Sequence, residues 1–140
     1  MSPNFREKKN SKLLYGMQKK LIVVARFFLG IVFLAAGING YVYQFGLEPF
    51  VATSPEAMQL FQFDYLLIVE KSLEIICGIL LIANRYVPLA LTILAPLIAN
   101  ILLLHVFVDH SLLALAIIMA IAYGYLLYQY RMYFRRIIEK

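Results

Sequence analysis

A chain of 140 residues that is 63% hydrophobic and only 15% charged does not have the composition of a water-soluble domain. Its length fits one domain, and its lone cysteine, Cys77, excludes an intramolecular disulfide and a multi-cysteine metal site. The net charge of +5 is gathered towards the two ends, where it reads as a topology signal and not as a nucleic-acid surface.

In chain order, residues 1–20 form a basic segment carrying Arg6, Lys8, Lys9, Lys12, Lys19 and Lys20. An apolar run over about 21–43 follows, long enough for a helix to cross ~30 Å of hydrocarbon. At ~100° per residue, Arg26, Gly30, Gly37 and Gly40 share one face of it. The glycines admit a close neighbour, and Arg26 offers a positive charge to whatever packs there.

The loop over 44–63 contains Thr53-Ser54-Pro55-Glu56, a hydroxyl cap with proline and a carboxylate in the first turn. With Met58, Leu60, Phe61 and Phe63 behind it, this predicts a short helix at the membrane interface. It serves either as a lid over a cavity or as a plain connector.

The second apolar run, 64–84, is interrupted by Glu70, Lys71 and Glu74. Each such charge costs ~2.5–3.5 kcal/mol at the centre of a membrane helix, so all three are expected to turn inward. Glu70, Glu74, Cys77 and Leu81 fall within one arc, and Lys71 can reach Glu74 three residues on. Two carboxylates and one ammonium leave a negative surplus, for which Arg26 is the expected partner, directly or through a bridging group.

The third run, 87–108, repeats Pro88, Thr92, Pro96 and Asn100 every four residues, while His105 shares a face with Asp109. The fourth, 111–130, carries Ala116, Ala120 and Gly124 as a small-residue seam for close packing. Tyr123, Tyr125, Tyr128, Tyr130 and Tyr133 crowd its far end as an aromatic belt. Residues 131–140 are a basic tail with Arg131, Arg135, Arg136 and Lys140.

The links at 84–88 and 109–111 are short enough to demand antiparallel hairpins. Both ends and Arg85 lie on one side, whereas the 44–63 loop and the Asp109-His110 corner carry no Lys or Arg. By the positive-inside rule both termini are cytoplasmic. The expected fold is all-α: a four-transmembrane-helix antiparallel bundle over 21–130, with a short interfacial helix in the first outer loop.

The ionisable and polar set predicted inside it is Arg26, Glu70, Lys71, Glu74, Asn100, His105 and Asp109. It is either an ion-pair network that fixes helix register or a site for protons, a quinone-like headgroup or another amphiphile. No metal is expected, because no compact ligand motif joins the histidines and carboxylates.

The stretches A-R-F-F-L-G-I-V-F-L-A-A-G-I-N-G (25–40), L-E-I-I-C-G-I-L-L (73–81) and P-L-A-L-T-I-L-A-P-L-I-A-N-I-L-L-L-H-V-F (88–107) resemble the DoxX family of small bacterial membrane proteins. The likeness covers roughly 22–128, with Arg26, Gly30, Gly37, Glu74, Gly78, Pro88, Asn100 and His105 in matching positions. Many members carry a lysine after the asparagine of the first helix, where this chain has Gly40 after Asn39. The resemblance implies a four-helix protein of the bacterial cytoplasmic (inner) membrane. A relative forms part of a thiosulfate:quinone oxidoreductase, and other members assemble with enzymes of oxidative or thiol stress. It therefore implies a membrane subunit or anchor, partnered by the bilayer and by a soluble oxidoreductase or a second copy of the chain. Alternatives are a quinone-linked oxidoreductase subunit and a transporter of protons or small solutes.

Overall fold

The computed structural model describes residues 4–52, 54–59 and 62–139. The described chain is helical: α1 (Phe5–Gln44), α2 (Pro55–Gln59), α3 (Asp64–Ala83), α4 (Val87–Phe107), a 3-10 turn (His110–Leu112), α5 (Leu113–Gln129) and α6 (Arg131–Ile138). Among the described residues, three helical stretches are long and apolar enough to cross a membrane, namely Phe5–Gln44, Val87–Phe107 and His110–Gln129. α3 matches α4 in length but carries Glu70, Lys71 and Glu74 in its middle.

α1, α3, α4 and α5 pack in a ring, each against the next, with α5 closing on α1. The tightest seam runs between α1 and α3, which lie antiparallel. A methyl group at Gly30 would stand 3.0 Å from the carbonyl oxygen of Gly78, and one at Gly78 would stand 2.8 Å from that of Gly30. One at Gly37 would stand 2.9 Å from the carbonyl of Lys71. Backbone meets backbone here, which only a missing side chain permits. Tyr41 adds a hydroxyl contact to Ser72 at 2.5 Å across the same seam.

The expected first helix of 21–43 begins much earlier, at Phe5. Residues 5–20 contain no proline and many good helix formers, and the Glu7 carboxylate accepts the Asn4 amide at 3.2 Å at the start. Forty residues at about 1.5 Å each give a rod about 60 Å long, twice what a bilayer core requires. At its other end Gly46, with φ 73°, lets the Gly46 and Leu47 amides reach back to Tyr43 and Val42, a Schellman closure. Asn84, at φ 55°, closes α3 the same way, with the Arg85 amide on the carbonyl of Leu80.

The basic tail expected from 131 onward contains a further helix, α6, whose Arg131, Arg135 and Arg136 project from an exposed surface. In the 44–63 loop, the helix expected after Ser54 is present as α2, one turn and a little more. Thr53, Leu60 and Phe61 lie outside the described residues.

The two ends of the bundle are built differently. At the end carrying the termini, Leu29, Phe33, Leu81, Leu91, Leu94 and Leu126 form a filled core without exposure. Tyr123 belongs to this core and not to an aromatic belt, because its hydroxyl donates to the carbonyl of Leu91 at 2.6 Å. The seam on α5 is also partly corrected. Ala116 is buried and Ala120 half-buried, but Gly124 meets nothing within 4 Å. A four-residue step advances ~40° around a helix, so the third member has rotated ~80° off the buried face. That face is formed instead by Ala116, Met119, Tyr123 and Leu126.

Replacing Gly37 with leucine should separate α1 from α3 and cost about 1–3 kcal/mol or more through overpacking. Gly16→Ala, in open space on the same helix, should be neutral or stabilising by up to about 1 kcal/mol. Denaturation in mixed micelles followed by circular dichroism separates the two outcomes.

Candidate functional site: a polar cavity at the end away from the termini

The other end of the ring is hollow. A cavity of about 390 Å³ lies between α1, α3, α4 and α5, unsealed to the outside, with the connection after α1 across it. Of the seven polar residues picked out by the sequence, six line it: Glu70, Lys71, Glu74, Asn100, His105 and Asp109. Most of the remaining wall is apolar, including Ile31, Val32, Leu67, Ile101, Leu104 and Met119.

The charged cluster is built on α3. Glu74 is buried at 1% exposure, and its two carboxylate oxygens each accept a hydrogen bond from the Lys71 ammonium at 3.0 Å. Glu70 stands 3.7 Å from the same nitrogen. Lys71 can lie in this position because α1 presents Gly40 there. A Cβ on residue 40 would collide with the Cγ, Cδ and Cε atoms of the lysine stem. Gly40 is thus a bed for a cation as well as a packing glycine.

Arg26, the seventh residue, goes elsewhere. Its guanidinium donates to the carbonyls of Leu81 at 2.6 Å and Ile82 at 3.2 Å, in the filled half of the bundle. Those carbonyls belong to the last turn of α3, where backbone acceptors are left over and the helix dipole is negative. The arginine caps a helix across the α1–α3 seam and does not neutralise Glu74. Antiparallel packing sets position 26 against 81–82 and position 37 against 71–75, about three turns apart.

On α4, His105 is half-buried and its Nδ1 lies 2.8 Å from the backbone oxygen of Asp109. A carbonyl only accepts, so Nδ1 carries the hydrogen and a neutral ring leaves Nε2 as a bare acceptor. Asn100 also lines the cavity but remains exposed. Thr92 and Pro96 face away from the buried side of α4, which is set by Val87, Ala90, Leu91, Leu94 and Ile98. Among the described residues, no group of three or more His, Cys, Asp or Glu side chains gathers as a metal site would require.

Two ties hold the connecting segment against the cavity. Asn39 of α1, buried at 8% exposure, donates through Nδ2 to the Val51 carbonyl at 2.9 Å and accepts the Val51 amide at 3.1 Å. At the α4–α5 corner the Asp109 carboxylate accepts the Ser111 amide at 3.0 Å and a hydroxyl hydrogen bond from Ser54. Hydrogen bonds from the backbone and side chain of Ser111, then from Ser54, hold this carboxyl below the usual aspartate range. Asn39 was not among the residues singled out from the sequence. A lone asparagine in an apolar helix was the available signal. Compared with known family models, characterised proteins and solved structures, the chain matches none.

Removing only the cation, as in Lys71→Met, should strand a buried carboxylate and destabilise the fold by about 3–5 kcal/mol. Adding Glu74→Leu should recover most of that loss, measured as a double-mutant cycle by denaturation. The Asp109 tie has the opposite pH sign to a histidine switch. A depressed carboxyl stabilises the fold above its unfolded value and loses that contribution as pH falls through its folded one. Exchange of the Ser111 amide should therefore stay slow down to about pH 4 and accelerate below it, while Asp109→Asn exchanges faster at neutral pH.

Proposed function

We propose that this chain is a four-span DoxX-type protein of the bacterial cytoplasmic membrane, with both termini cytoplasmic. It acts as a membrane subunit or anchor whose cavity receives the head of an amphiphile. Support for a fourth span comes from where the α3 charges point. Glu74 is buried, and the side chains of Glu70 and Lys71 are each only 17% exposed, so the outward side of α3 is apolar. Ile68, Val69, Ile76 and Ile79 occupy that outward side. α2 then lies at the outer interface, where Met58 reaches the cavity.

The observation that carries the function is the convergence of Glu70, Glu74, Asn100 and His105 from two helices on one open, mainly apolar space of about 390 Å³. Apolar walls with a few convergent polar groups are what a small amphiphile requires. A pure register device would need the ion pair but no space beside it. The soluble oxidoreductase expected as a partner remains part of this reading, as does a second copy of the chain. A narrower reading, a quinone-linked oxidoreductase subunit, draws on His105. Its free Nε2 and the carboxylate of Glu70 are proton-accepting groups of the kind a quinol headgroup would need.

Extraction into detergent-free polymer particles, followed by solvent extraction and mass spectrometry, should show one amphiphile enriched to near stoichiometry. Ala36→Phe, which fills the cavity, should lose it while the fold is retained. Impermeant labelling should find neither terminus at the outer face. Termini on opposite faces, or a lipid profile identical in wild type and Ala36→Phe, would sink the proposal.

A further inference from the structure

The polar atoms of the cavity are sorted by sign, and we infer that its ligand has a hydrogen-bond-donating head, an amine or a hydroxyl, and that fatty carboxylates and other anionic amphiphiles are rejected. This rests on the amphiphile reading above and specifies its chemistry.

The inference comes from an inventory of what each side chain has left to offer. Lys71 is the one lysine or arginine among the described lining residues, and its ammonium is drawn between Glu74 at 3.0 Å and Glu70 at 3.7 Å. Counted by formal charge, Glu70 and Glu74 against Lys71 leave the cluster one negative charge in surplus, and Asp109 adds another at the rim. The His105 Nδ1–H is committed to the Asp109 carbonyl, so a neutral ring turns only an acceptor to a ligand. One of the two amide hydrogens of Asn39 is taken up by Val51, and the hydroxyl of Ser54 by Asp109. Among the described lining residues, the second amide hydrogen of Asn39 can donate, and Tyr43 and Asn100 can donate or accept as required.

A donor head therefore meets Glu70 and His105 with matching partners. An anionic head meets carboxylates and a lone pair, with few donors to replace its water. Beside a low-dielectric wall, unpaired like charge is the stronger discriminator, because it is screened less there than in bulk water. The two acceptors sit on different helices, α3 and α4, and line the same cavity. The tail finds Ile31, Val32, Ile101, Leu104 and Met119.

The test compares three nitroxide-labelled probes of one chain length, an amine, an alcohol and a carboxylate, with the full chain in bilayers near neutral pH. The immobilised fraction in the spin-resonance spectrum is read for wild type and for Ala36→Phe, and only the part that the filled cavity removes is counted. This subtraction discards probe held at the lipid-facing surface by the basic ends of the chain. The expected result is a cavity population for the amine and the alcohol, with apparent affinity about tenfold or more above that of the carboxylate, or ~1.4 kcal/mol. Glu70→Gln should weaken the amine more than the alcohol, and His105→Phe should weaken the alcohol more than the amine. A carboxylate bound as well as the other two overturns the inference and leaves the amphiphile site standing. If no probe has a population removed by Ala36→Phe, the site itself falls and the inference falls with it.

Discussion

An ammonium and a carboxylate removed from water must find each other within a few ångströms, and here that requirement falls on a lysine and a glutamate three residues apart on one helix. Lys71 meets both oxygens of Glu74 at 3.0 Å, yet the pair is not self-sufficient. Its stem occupies the space left by Gly40 on α1, so the facing helix must lack a side chain there. The same face of α1 supplies Gly37 and Gly30, which bring the two backbones together over the next turns. Charge pairing and close packing are thus one constraint expressed twice along a single seam. Broken ion pairing strands a charge, and a larger residue at position 40 or 37 moves the helix that shelters it.

Arg26 completes the seam at its other end by an unrelated device. By capping the last carbonyls of α3 it uses a full positive charge against a partial negative one, with no carboxylate involved. Arg26 and Lys71, the cations set into the α1–α3 seam, therefore work independently, one in the filled half of the bundle and one in the hollow half. This division keeps the negative surplus near the cavity, where Glu70 and Asp109 remain without a second cation among the described lining residues.

Much of the framework was legible because apolar length is a direct physical requirement. The runs expected at 64–84 and 87–108 appear as Asp64–Ala83 and Val87–Phe107. The inward arc through Glu74, Cys77 and Leu81 is the buried face of α3. What sequence reasoning missed has a common origin in tertiary placement. The early start of α1 follows from local propensity, which hydropathy ignores. The partner of Arg26 depends on axial offset between helices, and sequence spacing fixes rotation around a helix but not height beside its neighbour. Gly124 drifted off its face because a four-residue seam precesses. Asn39 acts on a loop whose path no periodicity describes, and Tyr123 found a carbonyl on another helix.

The hollow itself has a compositional cause. In the filled half, leucines and a phenylalanine meet at the centre of the ring. In the other half the inward positions of α1 and α5 include Ala35, Ala36, Asn39, Gly40 and Ala116, all short. Apolar helices free to choose their packing would close over such small residues, since an empty space forfeits dispersion contacts on every side. The connecting segment lies across this space, tied by the Asn39–Val51 pair to α1 and by Ser54 and Asp109 to the α4–α5 corner. Small side chains create the volume and polar ties hold the segment over it. The proposed amphiphile would occupy a space bounded by these two sets of residues, and on that proposal the carboxylates facing it set the sign of its head.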